Sequence, residues 1–180
     1  MPTRCFFALL PDAVTHTALA ALLPPRQRRQ IPTRADALHL TLRFCAALPD
    51  ASLNHAATVL PTLARALPPL EPLRLALWQA GRDHDVLAVL YRPHMQALLL
   101  VNAIDGLVDI AAGTVTRWQP HVTLARRYGG GPHVPEACVL PPFQATALAL
   151  VTSTPHDGRF VHHQLARADL PADPAVGHWS

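Results

Sequence analysis

The chain has 180 residues, half of them apolar, with 15 basic and 12 acidic side chains and a formal net charge of +3. This size and apolar content suit one domain, or two small lobes sharing a core, and exclude wholesale disorder. The weak positive charge permits an anionic partner without demanding one, and because every basic residue is arginine, arginine enrichment carries little functional weight.

In chain order, residues 4–10 read as a strand whose apolar run ends at Pro11-Asp12, too short for a signal peptide or a membrane span. Residues 13–23 are apolar at helical spacing and stop at Pro24-Pro25. Arg26, Arg28 and Arg29 form a small basic loop, and residues 38–44 alternate as a strand. Residues 53–67 read as a helix, with Pro61 as a kink or break. Residues 73–79 and 86–90 suit a hairpin around Gly81-Arg82-Asp83. The strongest helical pattern runs over 95–112 and ends before Gly113. Residues 115–118 lead into a strand at 120–125. Residues 126–142, with Gly129-Gly130-Gly131 and four prolines, read as a mobile loop beside that strand. Residues 146–153 and 160–168 form a last hairpin, and the tail over 169–180 is expected to be loosely ordered. No segment is apolar for long enough to span a membrane. Three widely spaced cysteines make neither a disulfide framework nor a Cys-rich zinc site, which points to a reducing cytoplasm.

The chemistry concentrates in a tetrapeptide that occurs twice. His39-Leu40-Thr41-Leu42 returns as His121-Val122-Thr123-Leu124. In a strand, residues two apart share a face. Each copy therefore sets one imidazole and one hydroxyl on one face and two apolar residues on the other. One such motif is unsurprising in a chain with 11 histidines. Its return in a second alternating apolar stretch, again followed by an arginine (Arg43, Arg126), is not accounted for by composition. Two such strands side by side would line a groove with two histidines and two threonines. That set suits a phosphate ester: one histidine as base, one as acid, and the hydroxyls as donors to phosphate oxygens. Which histidine is which stays open from the residues alone.

These residues resemble the 2H phosphoesterase superfamily, named for its two His-x-Thr/Ser motifs. Within it the chain is similar to the RNA 2′,3′-cyclic phosphodiesterases, also called 2′-5′ RNA ligases. The likeness runs from Arg4-Cys5-Phe6-Phe7-Ala8-Leu9-Leu10-Pro11 through Ala37-Leu38-His39-Leu40-Thr41-Leu42-Arg43-Phe44 and Gln119-Pro120-His121-Val122-Thr123-Leu124-Ala125-Arg126 to a late hairpin with Ser153 and Gly158-Arg159. Two departures stand out: Cys45-Ala46 replaces a usual Leu-Gly, and His162 stands where the late hairpin usually carries tyrosine.

The resemblance implies one bilobal α+β domain over residues 1–180, with two antiparallel sheets facing across a central groove and helices outside. It implies hydrolysis of RNA or nucleotide 2′,3′-cyclic phosphates to 2′-phosphates, with 2′-5′ ligation as the reverse reaction. His39 would be the proton donor and His121 the proton acceptor, while Thr41, Thr123 and Arg126 bind substrate. No cofactor or metal is implied. The expected partners are RNA ends bearing a 2′,3′-cyclic phosphate, or cyclic nucleotides, with no membrane, for a cytoplasmic monomer. The alternatives are a binding module that holds a nucleotide or RNA end without turnover, and a sibling activity on 2′-5′ oligonucleotides. Outside the motifs, Arg43 reads as solvated or paired, and Phe7 as core. Trp118 is open between stacking and packing, and His162-His163 reads as a surface pair with base or ribose contact as the alternative. His84, His94 and His133 lack zinc spacing, and Gly129 to Gly131 lack the residues of a phosphate loop.

Overall fold

A computed structural model describes residues 2–26, 30–79, 85–108, 118–126, 139–156 and 159–171. In chain order these form β1 (Thr3–Pro11), α1 (Ala13–Ala21), β2 (Ile31–Pro32), a 3₁₀ turn (Ala35–Ala37), β3 (Leu40–Leu48), α2 (Asp50–Leu63), β4 (Pro72–Gln79), β5 (Asp85–Tyr91), α3 (Met95–Leu107), β6 (His121–Arg126), β7 (Ala145–His156) and β8 (Arg159–Asp169). The expected elements are present with shifted ends. The β4–β5 turn, the glycine run with its expected mobility, His84, His133 and the end of the tail lie outside the described residues.

Local chemistry sets several boundaries. Asp12 caps α1, its carboxylate accepting the Thr15 amide at 2.7 Å. Pro61 falls in the last turn of α2, where the missing N–H coincides with the helix end at Leu63. In α3 the buried residues Ala97, Leu100, Val101, Ile104 and Asp105 follow the helical period, so one stripe faces inward.

The strands form one antiparallel sheet in the order β4-β5-β6-β3-β1-β7-β8, with β2 on the edge of β6. Its two halves, β4-β5-β6 and β3-β1-β7-β8, join through one residue pair, Leu40 with Val122. The two antiparallel sheets that the family resemblance implies are thus two wings of one sheet, and the motif strands β3 and β6 are its centre. α1 lies against β1, α3 against β3, and α2 against β7 and β8. The main core fills this helical side with Phe7, Leu9, Leu19, Leu40, Leu42, Leu60, Leu100, Ile104, Leu124 and Leu148, each at most 2 % exposed. The other face carries two small apolar clusters, Phe6-Ala8-Ala149-Val151 and Val86-Ala88-Leu90. The motif strands run between them.

Each motif strand slips by one residue at the last position of its tetrapeptide. On β3, Ala8 pairs with Thr41 but Phe7 with Arg43, so Leu42 is the extra residue. On β6, Ala88 pairs with Thr123 but Leu87 with Ala125, so Leu124 is extra. A bulge resets the two-residue alternation. Simple alternation would place Arg43 on the open face and Arg126 on the core face. The bulges exchange them. Arg43 turns to the helical side, where its guanidinium meets both carboxylate oxygens of Asp105 in α3. Arg126 turns to the open face, level with Val86.

One buried polar atom on the helical side has no partner among the described residues. Tyr91 is fully buried against Phe143, rings 5.7 Å apart, and its hydroxyl bonds to nothing there. Burial raises its pKa. Tyr91→Phe is therefore expected to stabilise the fold by about 1 kcal/mol in denaturant unfolding, since an unmet buried hydroxyl costs about 1–3 kcal/mol. A loss of stability would show that the hydroxyl has a partner.

Candidate active site

The same backbone device holds both motif histidines. The Nδ1 of His39 lies 2.8 Å from the Ala37 carbonyl, and that of His121 lies 2.9 Å from the Gln119 carbonyl, two residues back in each case. A carbonyl only accepts, so Nδ1 carries the proton in each ring and Nε2 is left to exchange one. The loops that place these carbonyls are anchored in turn. The 3₁₀ turn ends at Ala37, and the Gln119 side chain donates to the Tyr91 carbonyl at 2.9 Å.

The threonines are held crosswise. Trp118, just ahead of the second motif, donates its Nε1–H to the Thr41 carbonyl at 3.1 Å. Thr33, just ahead of the first, donates its hydroxyl to the Thr123 carbonyl at 2.9 Å. Each motif strand is thus fixed by the segment leading into the other. Trp118 packs with the core, which settles it as a positioning residue. The antiparallel pair Leu40–Val122 sets His39 across from Thr123, and Thr41 across from His121. All four side chains share the open face between the apolar clusters, half-buried. The arrangement sets the two motif histidines and two motif threonines side by side on one face of the sheet.

Electrostatics favour an anion there. Burial lowers the His39 pKa from 6.5 to about 4, against the Ala37 carbonyl, which raises it, while His162, Arg126 and His121 lower it further. Burial also lowers that of His121, with the Gln119 carbonyl opposing and Arg126 assisting. Among the described residues, every charge acting on these two rings is a cation. By surface area Arg126 is exposed, yet desolvation around its guanidinium, followed by the Arg4 charge, lowers its pKa. Arg126 stays cationic all the same, because the guanidinium starts from so high a value. Burial favours the neutral form of both imidazoles, so a bound anion must raise their pKa values and draw protons in. Sulfate stays fully charged over this range. Its affinity is expected to rise as pH falls from about 6.5 towards 4, and His39→Gln to flatten that slope in calorimetric titrations. A slope unchanged in the variant would remove His39 from the anion site.

A cavity of about 930 Å³ opens beside His39. Its lining includes His39, Phe6, Phe160, His162, Gln164 and Arg34, but not His121. It is therefore the flank of the site and not its centre. Phe6 stacks on the His39 ring, centroids 4.8 Å apart and planes 20° apart, and meets His162 edge-on at 5.3 Å. His162 Nδ1 is 2.9 Å from the Ser153 hydroxyl. His162 is exposed, as the surface-pair reading expects, and it also lines the cavity beside His39. Phe7 is core, as expected, whereas its neighbour Phe6 faces the groove. The clue was parity: Phe6 stands two residues before Ala8, which faces Thr41. Of the residues proposed from the sequence, His39, Thr41, His121, Thr123 and Arg126 all lie on the open face. Arg43 does not, and His94 caps α3. No group of three or more metal-ligating side chains occurs among the described residues, and no helix there is long and apolar enough to cross a membrane.

The fold has counterparts among known proteins. No protein-family model matches the sequence, and no curated protein matches it. Solved structures do. TT0787 of Thermus thermophilus is 25% identical with a TM-score of 0.69, over 94% of this chain and 99% of its own. A structure described as a phosphoesterase is 26% identical with a TM-score of 0.62, over the same shares. E. coli LigT bound to NADP+ is 24% identical with a TM-score of 0.66, again over 94% and 99%. The same LigT has also been solved with ATP, with phosphate and with 3′-AMP.

Proposed function

The chain carries the fold of the 2H phosphoesterases, and from it we propose a phosphodiesterase that opens 2′,3′-cyclic phosphates at RNA ends or on nucleotides to 2′-phosphates. The observation that carries this reading is the matched pair of imidazoles on the two central strands, each with Nδ1 tied to a carbonyl two residues back.

In the proposed reaction, water attacks phosphorus opposite the 3′ oxygen. His121 Nε2 takes the water's proton as the P–O bond forms. His39 Nε2 gives a proton to the 3′ oxygen as that bond breaks, leaving a 3′-hydroxyl and a 2′-phosphate. Thr41, Thr123 and Arg126 donate to the non-bridging oxygens and offset the charge that grows there. An acid with a pKa of about 4 in the empty site needs the charge of the bound diester to hold its proton. The phosphate is thus both substrate and the group that tunes the acid. With a 5′-hydroxyl in place of water as the nucleophile, the same steps join it to the cyclic-phosphate end through a 2′-5′ bond, the 3′ oxygen again leaving as a hydroxyl. LigT's complexes with 3′-AMP and phosphate support a nucleotide or RNA-end phosphate as the groove's ligand. The reading takes the protein as one bilobal domain, a cytoplasmic monomer without a cofactor.

The test is an assay on a 2′,3′-cyclic nucleotide with the phosphate position in the product identified. A 2′-phosphate is expected, and a 3′-phosphate would reverse the assignment of the leaving oxygen. Because the scheme routes every proton through imidazole, the rate is expected to persist in EDTA. Activity lost to the chelator and restored by zinc or magnesium would overturn the scheme.

A further inference from the structure

Arg4 stands on β1 next to the groove and has no part in the proposed reaction. Its guanidinium carbon lies 4.6 Å from the Phe44 ring centroid and 4.0 Å from that of Phe160. Phe44 belongs to β3 and Phe160 to β8, on opposite sides of β1 in the sheet, so the cation is flanked from both sides. Both rings are nearly half exposed, at 44% and 48%. They are not core residues, and what they do hold in place is the guanidinium.

Other arginines have carboxylate partners: Arg34 with Asp36, Arg43 with Asp105, Arg92 with Glu71 and Arg167 with Asp169. Arg4 has no carboxylate partner among the described residues. A guanidinium with its faces covered by rings keeps its in-plane N–H fork, which matches two oxygens of one phosphate. Position separates this fork from the reacting centre. Phe44 pairs with Phe6, and Thr41 with Ala8. The two pairs are successive open-face rows, roughly 7 Å apart along the strand. Arg4, over Phe44, therefore addresses a group one row beyond the phosphate held at Thr41 and His121.

We propose that Arg4, clamped between Phe44 and Phe160, forms a second anion subsite that takes the phosphodiester adjoining the reacting nucleotide, so that the groove selects RNA ends over cyclic mononucleosides. This rests on the proposed function, and it names the part of the substrate that function leaves open.

The test compares kcat/KM for a dinucleotide ending in a 2′,3′-cyclic phosphate, a 2′,3′-cyclic mononucleoside monophosphate, and the same mononucleoside with a 5′-phosphate. The first and third are expected to exceed the second by about tenfold or more, the worth of one charge-assisted contact. Arg4→Gln is expected to abolish that ratio, and Phe44→Leu with Phe160→Leu to abolish most of it. Arg92→Gln, which changes the net charge equally, should keep it. A ratio unchanged in Arg4→Gln would overturn the subsite. So would an advantage that needs the second base and not the second phosphate, because the rings would then be stacking on a base. Titration with a dinucleotide bearing a 3′-terminal phosphate, against a nucleoside 3′-monophosphate, reads the subsite without turnover. If no cyclic phosphate is hydrolysed, the proposed function falls, while an Arg4-dependent difference in these affinities still decides the subsite.

Discussion

His39→Ala and His121→Ala are each expected to lower turnover of a 2′,3′-cyclic phosphate by about 10²-fold or more, the usual loss when a positioned acid or base is removed. The double variant should be little worse than the worse single one, because two groups that act in one transition state do not contribute additively. Thr41→Ala and Thr123→Ala should cost less, since each removes one donor while the other and Arg126 remain. The pH–rate curve should be a bell whose limbs belong to the pair jointly. Its acid limb in kcat/KM should extend below the ordinary imidazole range, since burial lowers the pKa of His121, the base that must be free. Neither histidine is part of the main core, so both variants should remain folded, and circular dichroism would check that. Near-normal rates in folded single variants would leave the pair structural, and a binding module without turnover would become the better description.

The site was legible in the sequence where it depended on alternation, and illegible where alternation broke. His39 with Thr41 and His121 with Thr123 needed only the two-residue period, and the structure puts all four on one face. Arg43 and Arg126 could not be placed that way. Each follows a bulge, at Leu42 and Leu124, and a bulge leaves no mark in a run of apolar residues. Tertiary pairing decided it: Asp105 draws Arg43 to the helical side, and nothing local to Arg43 announces a partner 62 residues away. The crosswise hydrogen bonds of Trp118 and Thr33 were hidden for the same reason. β2 is two residues long and exists as an edge for β6, so no window of sequence could show it. The joining of the wings rests on one pair, Leu40–Val122, and a single contact at the centre of two similar motifs has no periodic signature. Phe6 and Phe7 are adjacent and chemically equal. Which of them meets His39 follows only from the phase of β1 against β3.

Asp105→Ala is expected to destabilise the fold strongly from the helical side of the sheet. The Asp105 carboxylate and the Arg43 guanidinium form a two-point pair with side chains 11% and 14% exposed. Removing the acid leaves a cation largely cut off from water between β3 and α3. Breaking such a pair typically costs about 3–5 kcal/mol, whereas replacing both partners with apolar residues is often neutral or stabilising. Arg43→Met with Asp105→Leu should therefore recover most of what Asp105→Ala loses in urea unfolding. The pair also ties α3 to β3 one residue past the Leu42 bulge, so it sets the phase that returns Phe44 to the groove while Thr41 faces it from the other side of the slip. The double apolar variant should match the wild type in stability but have a lower kcat if that phase loosens. A melting curve for Asp105→Ala that overlays the wild type would show that Arg43 reaches water once released, and that the bulge is held by the sheet alone.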